Sequence, residues 1–136
     1  MKYFTHKVKY KDLTFDSKAE RDRYIYLHQQ EQIGKISQLE MQKEFELLPK
    51  QYRTEIVHLK TKDKIVQKVD EQAVKYHCDF FYYDKQNELY IIEEIKSKMT
   101  AMIRDYPLRR KLVKLMVKRM NSGLGRETYL FREIIK

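Results

Sequence analysis

Residues 88–98, ELYIIEEIKSK, close a run of strand-forming side chains with two adjacent glutamates and a lysine. Charge at the end of a buried strand is costly unless something uses it. Successive side chains of an extended chain point to opposite faces, so Glu94 and Lys96 share a face with Ile92, while Glu93 shares the other with Ile91 and Ile95. Asp79 closes YHCD upstream, and pairing the two runs through Lys85-Gln86-Asn87 carries it to Glu94 or one step beyond. Carboxylates and a lysine converging in this way suit metal-assisted hydrolysis of a phosphodiester. The carboxylates are hard oxygen ligands for Mg²⁺, with Mn²⁺ as a substitute. Such a metal makes a bound water more acidic and offsets charge building on a phosphate. A lysine beside it orients that water and neutralises the phosphate. An E-x-K triplet is also explained by a cross-strand ion pair, and the placement of Asp79 is what favours the hydrolytic reading. Glu93 is flanked by Ile91 and Ile95, so Glu94 is the expected ligand and Glu93 requires a separate partner.

Glu20 is the next acidic candidate. It stands at the fourth position of Ser17-x-x-Glu20, which fits a capping box, and it also lies with Tyr24 and Leu27 at the i, i+4, i+7 spacing of an inward helix face. The second placement would aim a third carboxylate at the metal.

The elements that must position these groups follow from periodicity and punctuation. KVKYKDLTFD, residues 7–16, reads as a short hairpin around Lys11-Asp12. A helix then runs from the N-cap Ser17 to a stop at Gly34. Residues 35–48 are extended with a strand and end at Pro49. Residues 50–72 are polar with scattered aliphatics and no core-sized apolar face, which suits a long hairpin or arm, or a loop. AVKYHCDFFYYD, residues 73–84, and ELYIIEEIK, residues 88–96, form a hairpin. A helix follows over residues 106–121, with Pro107 in its first turn, and residues 127–134 read as a last strand. The order ββ, α, β, ββ, α, β predicts an α/β (α+β) fold, a sheet with helices packed on it, in one domain spanning 1–136 with an arm or stalk at 50–72.

Net charge is +9 and unevenly spread: residues 1–95 hold 17 basic and 17 acidic side chains, residues 96–136 hold 12 and 3. A positive field confined to the last stretch attracts polyanions, nucleic acid before membrane headgroups, although a basic surface kept for solubility is the plain alternative. The helical wheel of 106–121 puts Leu108, Leu112, Val113, Leu115, Met116, Val117 and Met120 on a broad apolar face and Arg110, Lys111, Lys114 and Lys118 on a stripe opposite. With Lys98, Arg104 and Arg109 they form a track suited to backbone phosphates rather than base edges. Most tyrosines belong in the core or at edges, with Tyr76 and Tyr106 as exceptions. His77 shares a face with Asp79, but packing or solvent accounts for it. The lone Cys78 excludes an internal disulfide framework, the start MKYFTHKVKY lacks a signal sequence, and no apolar run approaches the ~20 residues of a membrane span. The expected compartment is the cytoplasm. Phosphate-binding glycine motifs are missing, so neither ATP nor a dinucleotide is expected.

Helical Glu20, Asp79 at the end of YHCD, and Glu94-Ile95-Lys96 together resemble the PD-(D/E)XK nuclease superfamily. More narrowly, FDSKAERDRYIYL, ISQLEMQKEFELLP, the YHCDFFYYD and EEIKSK hairpin and the YPLRRKL helix are similar to a small phage family related to Holliday-junction resolvases of the RecU kind. The resemblance spans roughly residues 5–120 and implies a restriction-endonuclease-like core, a central mixed β-sheet flanked by helices. It further implies a Mg²⁺-dependent endonuclease acting as a homodimer on branched DNA, in recombination or DNA processing. By this carry-over Asp79 and Glu94 bind metal, Glu20 adds the helical carboxylate, Lys96 assists the attacking water and Gln42 lines the site. The 50–72 arm is similar to the stalk with which such resolvases engage a junction centre. Cys78 and Lys43 depart from prolines common in relatives, without removing a catalytic group. Two other functions fit the same residues: a DNA-binding module that keeps the fold without catalysis, and a nuclease for linear duplex, flap or RNA ends.

Overall fold

The computed structural model describes residues 7–102 and 105–136. Strands β1 (Val8–Tyr10) and β2 (Leu13–Phe15) pair antiparallel, with Lys11 at φ +54° in the turn between them. Helix α1 (Lys18–Gln32) starts where the Ser17 Oγ accepts the Glu20 N–H at 3.1 Å. It stops at Gly34, whose φ of +82° lets the Gly34 and Lys35 amides turn back onto the Glu31 and Gln30 carbonyls.

The chain then forms β3 (Ile36–Met41), β4 (Glu44–Leu48), β5 (Gln51–His58), β6 (Asp63–Glu71), β7 (Val74–His77), β8 (Phe80–Asp84) and β9 (Leu89–Lys96). A short helix α2 (Lys98–Ala101), a long helix α3 (Asp105–Asn121) and a final strand β10 (Tyr129–Ile135) complete it. The fold class is α+β. The main sheet has the order β10-β9-β8-β3, parallel between β10 and β9 and antiparallel elsewhere, hence mixed as expected. Its centre carries the apolar runs FFYYD and LYIIEEIK because those strands are covered on both faces.

Two compact units emerge. One contains the described residues up to Lys43 together with those from His77 onward; the other is Glu44–Tyr76. In the first, α1 places Leu27 against Ile36, Phe80, Tyr82, Ile91 and Ile95 on one face of the main sheet, with Leu130 and Ile134 at its margin. α3 lies on the opposite face along β10, where Glu133, the register partner of Glu94, meets Tyr106 and Arg110. In the second unit β5 and β6 form a long antiparallel hairpin, and β4 pairs with β7. The lack of a core-sized face in 50–72 is explained by a two-stranded ribbon exposed on both sides. It is held by its ladder and by Arg53 and Lys68 around Glu55, at 2.8 and 3.0 Å. The unit extends beyond the predicted 50–72 segment because β4 and β7 form its base.

The structure corrects several sequence expectations. Residues 35–48 hold two strands rather than one, separated at Gln42-Lys43, and the run 73–84 is broken at Cys78-Asp79 into β7 and β8. These breaks answer each other: the Cys78 N–H binds the Lys43 carbonyl and the Gln42 N–H binds the Asp79 carbonyl, as both chains pass from one sheet to the next. The β8–β9 loop has one more residue than predicted, because Asp84 pairs with Leu89 and Glu88 adopts φ +54°. Tyr76 and Tyr106 are buried, not exceptional. The apolar face of α3 is narrower than its wheel, with Tyr106, Val113 and Val117 buried but Leu108 and Leu115 62% and 43% exposed, since this helix packs mainly on a single strand. Among the described residues, no helix is long and apolar enough to cross a membrane.

Candidate active site

The β8–β9 register sets the site. Phe80 pairs with Glu93, and the next step places Asp79 opposite Glu94. Asp79 is already outside the strand, so its carboxylate rather than its backbone takes the next donor: the Ile95 N–H reaches Oδ2 at 2.8 Å. Its own N–H binds the Glu93 carbonyl at 3.1 Å. Glu94 is buried, with Oε1 3.1 Å from Lys96 Nζ, so the expected pairing of these two side chains on one face is observed. The Lys96 ammonium stands 5.5 Å from the Tyr106 ring centroid.

Glu93 points the other way and is fully buried. Its required partner is Arg23, which donates from Nε and Nη2 at 2.9 and 2.8 Å, while the Tyr82 hydroxyl donates to Oε1 at 2.8 Å. Burial works against the Arg23 charge, but the Glu93 hydrogen bonds and field outweigh it and raise the guanidinium pKa. Glu93 is therefore structural, an ion pair beneath α1 that stands apart from Asp79, Glu94 and Lys96.

Glu20 follows the inward-face reading and only the Ser17 half of the capping box, its carboxylate taking the Asp16 backbone N–H rather than that of Ser17. Its backbone N–H is capped by Ser17, and its side chain is buried at the sheet end rather than solvated. Burial, then the Asp16 carboxylate, raise its pKa; the Asp16 backbone N–H opposes this, while Glu94 adds to the rise. Gln42 stands between the carboxylates, its Nε2 at 3.5 Å from Glu20 Oε1 and 3.4 Å from Asp79 Oδ1. It does so from the left-handed region, at φ +56°, where a non-glycine residue is strained and held by its surroundings. Glu20, Gln42, Asp79, Glu94 and Lys96 thus come from α1, the β3–β4 link, the β7–β8 break and β9 to one end of the sheet.

A cavity of about 450 Å³ opens there, lined by Asp16, Glu20, Asp79, Lys96, Ser97 and Lys136. Burial and the neighbouring Glu94 push the Asp79 pKa up to about 7 against the opposing Ile95 N–H, the expected result of crowding carboxylates in a poorly solvated corner. Among the described residues, no three histidine, cysteine or acidic side chains already stand as a metal cage. Mg²⁺ needs only one or two carboxylates with waters and substrate phosphate, so the donor types fit it. Cys78 is buried, and its thiol is pushed up to about 12 by burial, so it is inert as a nucleophile. His77 is exposed.

Asp16 and Lys136 line this cavity without having been singled out from the sequence. Asp16 was detectable as the residue before the N-cap; Lys136 was not, because parallel β9–β10 pairing brings its N–H to the Lys96 carbonyl at 2.9 Å. Tyr106 and Glu133, joined by a hydrogen bond from the phenol, are likewise products of that pairing.

Of the phosphate track, Lys98, Arg109, Lys111, Lys114 and Lys118 are exposed, and Arg104 lies outside the described residues. Arg110 does not join the stripe: it turns to the sheet, with Nη1 3.8 Å from Glu133 Oε1. If α3 contacts DNA, Lys111→Glu with Lys114→Glu is expected to weaken binding of all sequences alike and lower the slope of log K against log salt by roughly 2. A titration of duplex binding between low and moderate salt checks this, and an unchanged slope removes α3 from the interface.

No curated protein and no solved structure matches the chain. A family model matches residues 1–127, taking in every residue of the constellation above, and the chain belongs to that family, described as a protein of unknown function (DUF1064).

Proposed function

We propose that the chain is a metal-dependent DNA endonuclease that cleaves phosphodiester bonds in branched DNA, as the resemblance to PD-(D/E)XK nucleases and RecU-type resolvases implies. A single observation carries the reading: four distant stretches of sequence bring Glu20, Gln42, Asp79, Glu94 and Lys96 together at the sheet end, where Glu20, Asp79 and Lys96 line one cavity. Such a convergence serves no packing purpose.

Asp79 and Glu94 are the residues that would hold Mg²⁺, with Glu20 behind them. The metal supplies a Lewis acid for the phosphate and raises the acidity of water. Lys96 stands with its ammonium at the cavity, able to orient a water or meet a phosphate oxygen, and Tyr106 limits where it can swing. Gln42 fixes the spacing of Glu20 and Asp79 through its amide. The exposed cations of α2 and α3 supply sequence-independent attraction to a phosphate backbone. A homodimer acting on opposed strands, a phage origin and a cytoplasmic setting belong to the same proposal.

The test compares a four-way junction with a linear duplex of the same sequence, in Mg²⁺ or EDTA, using the wild type and Lys96→Ala. Mg²⁺-dependent cutting of the junction is expected, falling about 10²–10³-fold in Lys96→Ala, the usual cost of losing one group that meets developing charge. Cleavage of neither substrate, or equal cleavage by the variant, would sink the assignment. Equal cutting of both substrates would retain the nuclease and reject the junction preference.

A further inference from the structure

The second large cavity of the main-sheet unit, about 430 Å³, is walled by Arg23 and Tyr26 of α1, Lys35 before β3, Asp84 and Lys85 at the end of β8, and Arg132 of β10. At ~3.4 Å per residue along β8, it lies roughly 17 Å from Asp79, a separate place on the sheet. Its charges are unbalanced. Arg23 is neutralised by Glu93, whereas among the described residues no carboxylate forms an ion pair with Arg132, Lys35 or Lys85.

Arg132 is half-buried, and its Nη1 donates to the Tyr82 hydroxyl at 3.0 Å, a neutral partner for a guanidinium. Asp84 also lines the cavity and feels the Arg132 charge, but its oxygens already accept the Gln86 and Asn87 amides and the Asn87 side chain at 3.1, 3.2 and 2.8 Å. Three cations against that one carboxylate leave an excess near +2. A phosphate monoester, at about −1.5 to −2 near neutral pH, matches it better than a mid-strand phosphodiester does. Tyr26 adds an aromatic surface at the wall. Tyr26 is 47% exposed, and its ring carries the Arg23 guanidinium 4.9 Å from its centroid, an arrangement that rigidifies a ring for stacking against a base. The volume lies within the range of small-ligand sites.

We propose that this cavity binds a phosphate monoester on a nucleotide or a nucleic-acid strand end, with the phosphate on Arg132, Lys35 and Lys85 and a base against Tyr26. This binding is independent of the hydrolytic reading and needs no metal. It is measured by calorimetry in EDTA with tetrathymidylate carrying a 5′ phosphate, a 3′ phosphate or none, and with thymidine 5′-monophosphate. At least one phosphorylated form is expected to bind tenfold or more tightly than the unphosphorylated strand. That preference is expected to vanish in Lys35→Gln with Lys85→Gln, both exposed and safe for folding, and in Arg132→Gln. It survives Lys96→Ala, so failure here and failure of the cleavage assay are separable. Thymidine 5′-monophosphate binding as tightly as the tetramer identifies a free nucleotide as ligand, and weaker binding identifies a strand end. Equal affinity with and without the phosphate, or a preference that persists in the Lys35→Gln, Lys85→Gln protein, overturns the proposal.

Discussion

Asp79→Asn is expected to lower Mg²⁺-dependent cleavage about 10²–10³-fold and, at the same time, to make the protein more stable at pH 8. The two effects share a cause. Asp79 sits beside Glu94 in a poorly solvated corner, and its pKa rises from 3.8 to about 7. A carboxyl whose folded pKa exceeds its unfolded value binds its proton more tightly when folded. The contribution of Asp79 to stability is therefore greatest below about pH 4, falls as pH rises towards 7, and levels off above it. Asparagine keeps an acceptor for the Ile95 N–H without the charge. The variant should exceed the wild type by about 1–2 kcal/mol at pH 8, well below the full conversion of the shift because the residue is partly exposed and shares its field with Glu94. The gap should close near pH 4. Mg²⁺ is expected to raise the wild-type Tm at pH 8 by binding the folded state and to leave that of the variant unchanged. Urea unfolding at both pH values, with and without Mg²⁺, measures all of this. A variant that loses stability at pH 8 would show that Asp79 is a structural residue rather than a strained ligand.

The second large effect concerns stability alone. Arg23→Ala should destabilise the protein by about 3–5 kcal/mol, because it leaves the fully buried Glu93 carboxylate with only the Tyr82 hydroxyl. Against a total of roughly 5–15 kcal/mol for a domain, such a loss is severe. Removing both charges should cost less than removing the arginine: Arg23→Ala with Glu93→Gln is expected to recover a substantial part of the loss, since no uncompensated charge then remains. Lys96→Ala should cost clearly less than Arg23→Ala, as the ammonium is partly exposed and its loss leaves Glu94 beside solvent at the sheet end rather than sealed beneath a helix. This contrast separates the two adjacent glutamates experimentally, Glu93 serving the fold and Glu94 the site. An Arg23→Ala midpoint within about 1 kcal/mol of wild type would mean that water or a rearranged partner reaches Glu93.

The two-residue period of a strand was sufficient to assign Glu93 and Glu94 to opposite faces, and it required a partner for Glu93 before Arg23 could be identified. The Ser17 cap, the Gly34 stop and the inward face of Glu20 were equally local, because caps and helical spacing involve neighbours within a turn. The β8–β9 pairing was legible to within one residue, since a short loop leaves few registers. Loop composition also marked residues 50–72 as something other than core.

What the sequence by itself determined was which side chains share a face and where elements begin and end, because steric and hydrogen-bonding preferences act over a few residues. Tertiary structure decided the rest. The parallel pairing of β10 with β9, which brings Glu133 and Lys136 beside Glu94 and Lys96, depends on a crossover through α3 that no local pattern encodes. The breaks at Gln42-Lys43 and Cys78-Asp79 arise because two strands change partners together. The narrowing of the α3 face, the turning of Arg110 to Glu133, and the gathering of Arg132 with Lys35 and Lys85 are likewise long-range outcomes. They are fixed by which surfaces meet in the folded chain, and a one-dimensional pattern carries no record of that meeting.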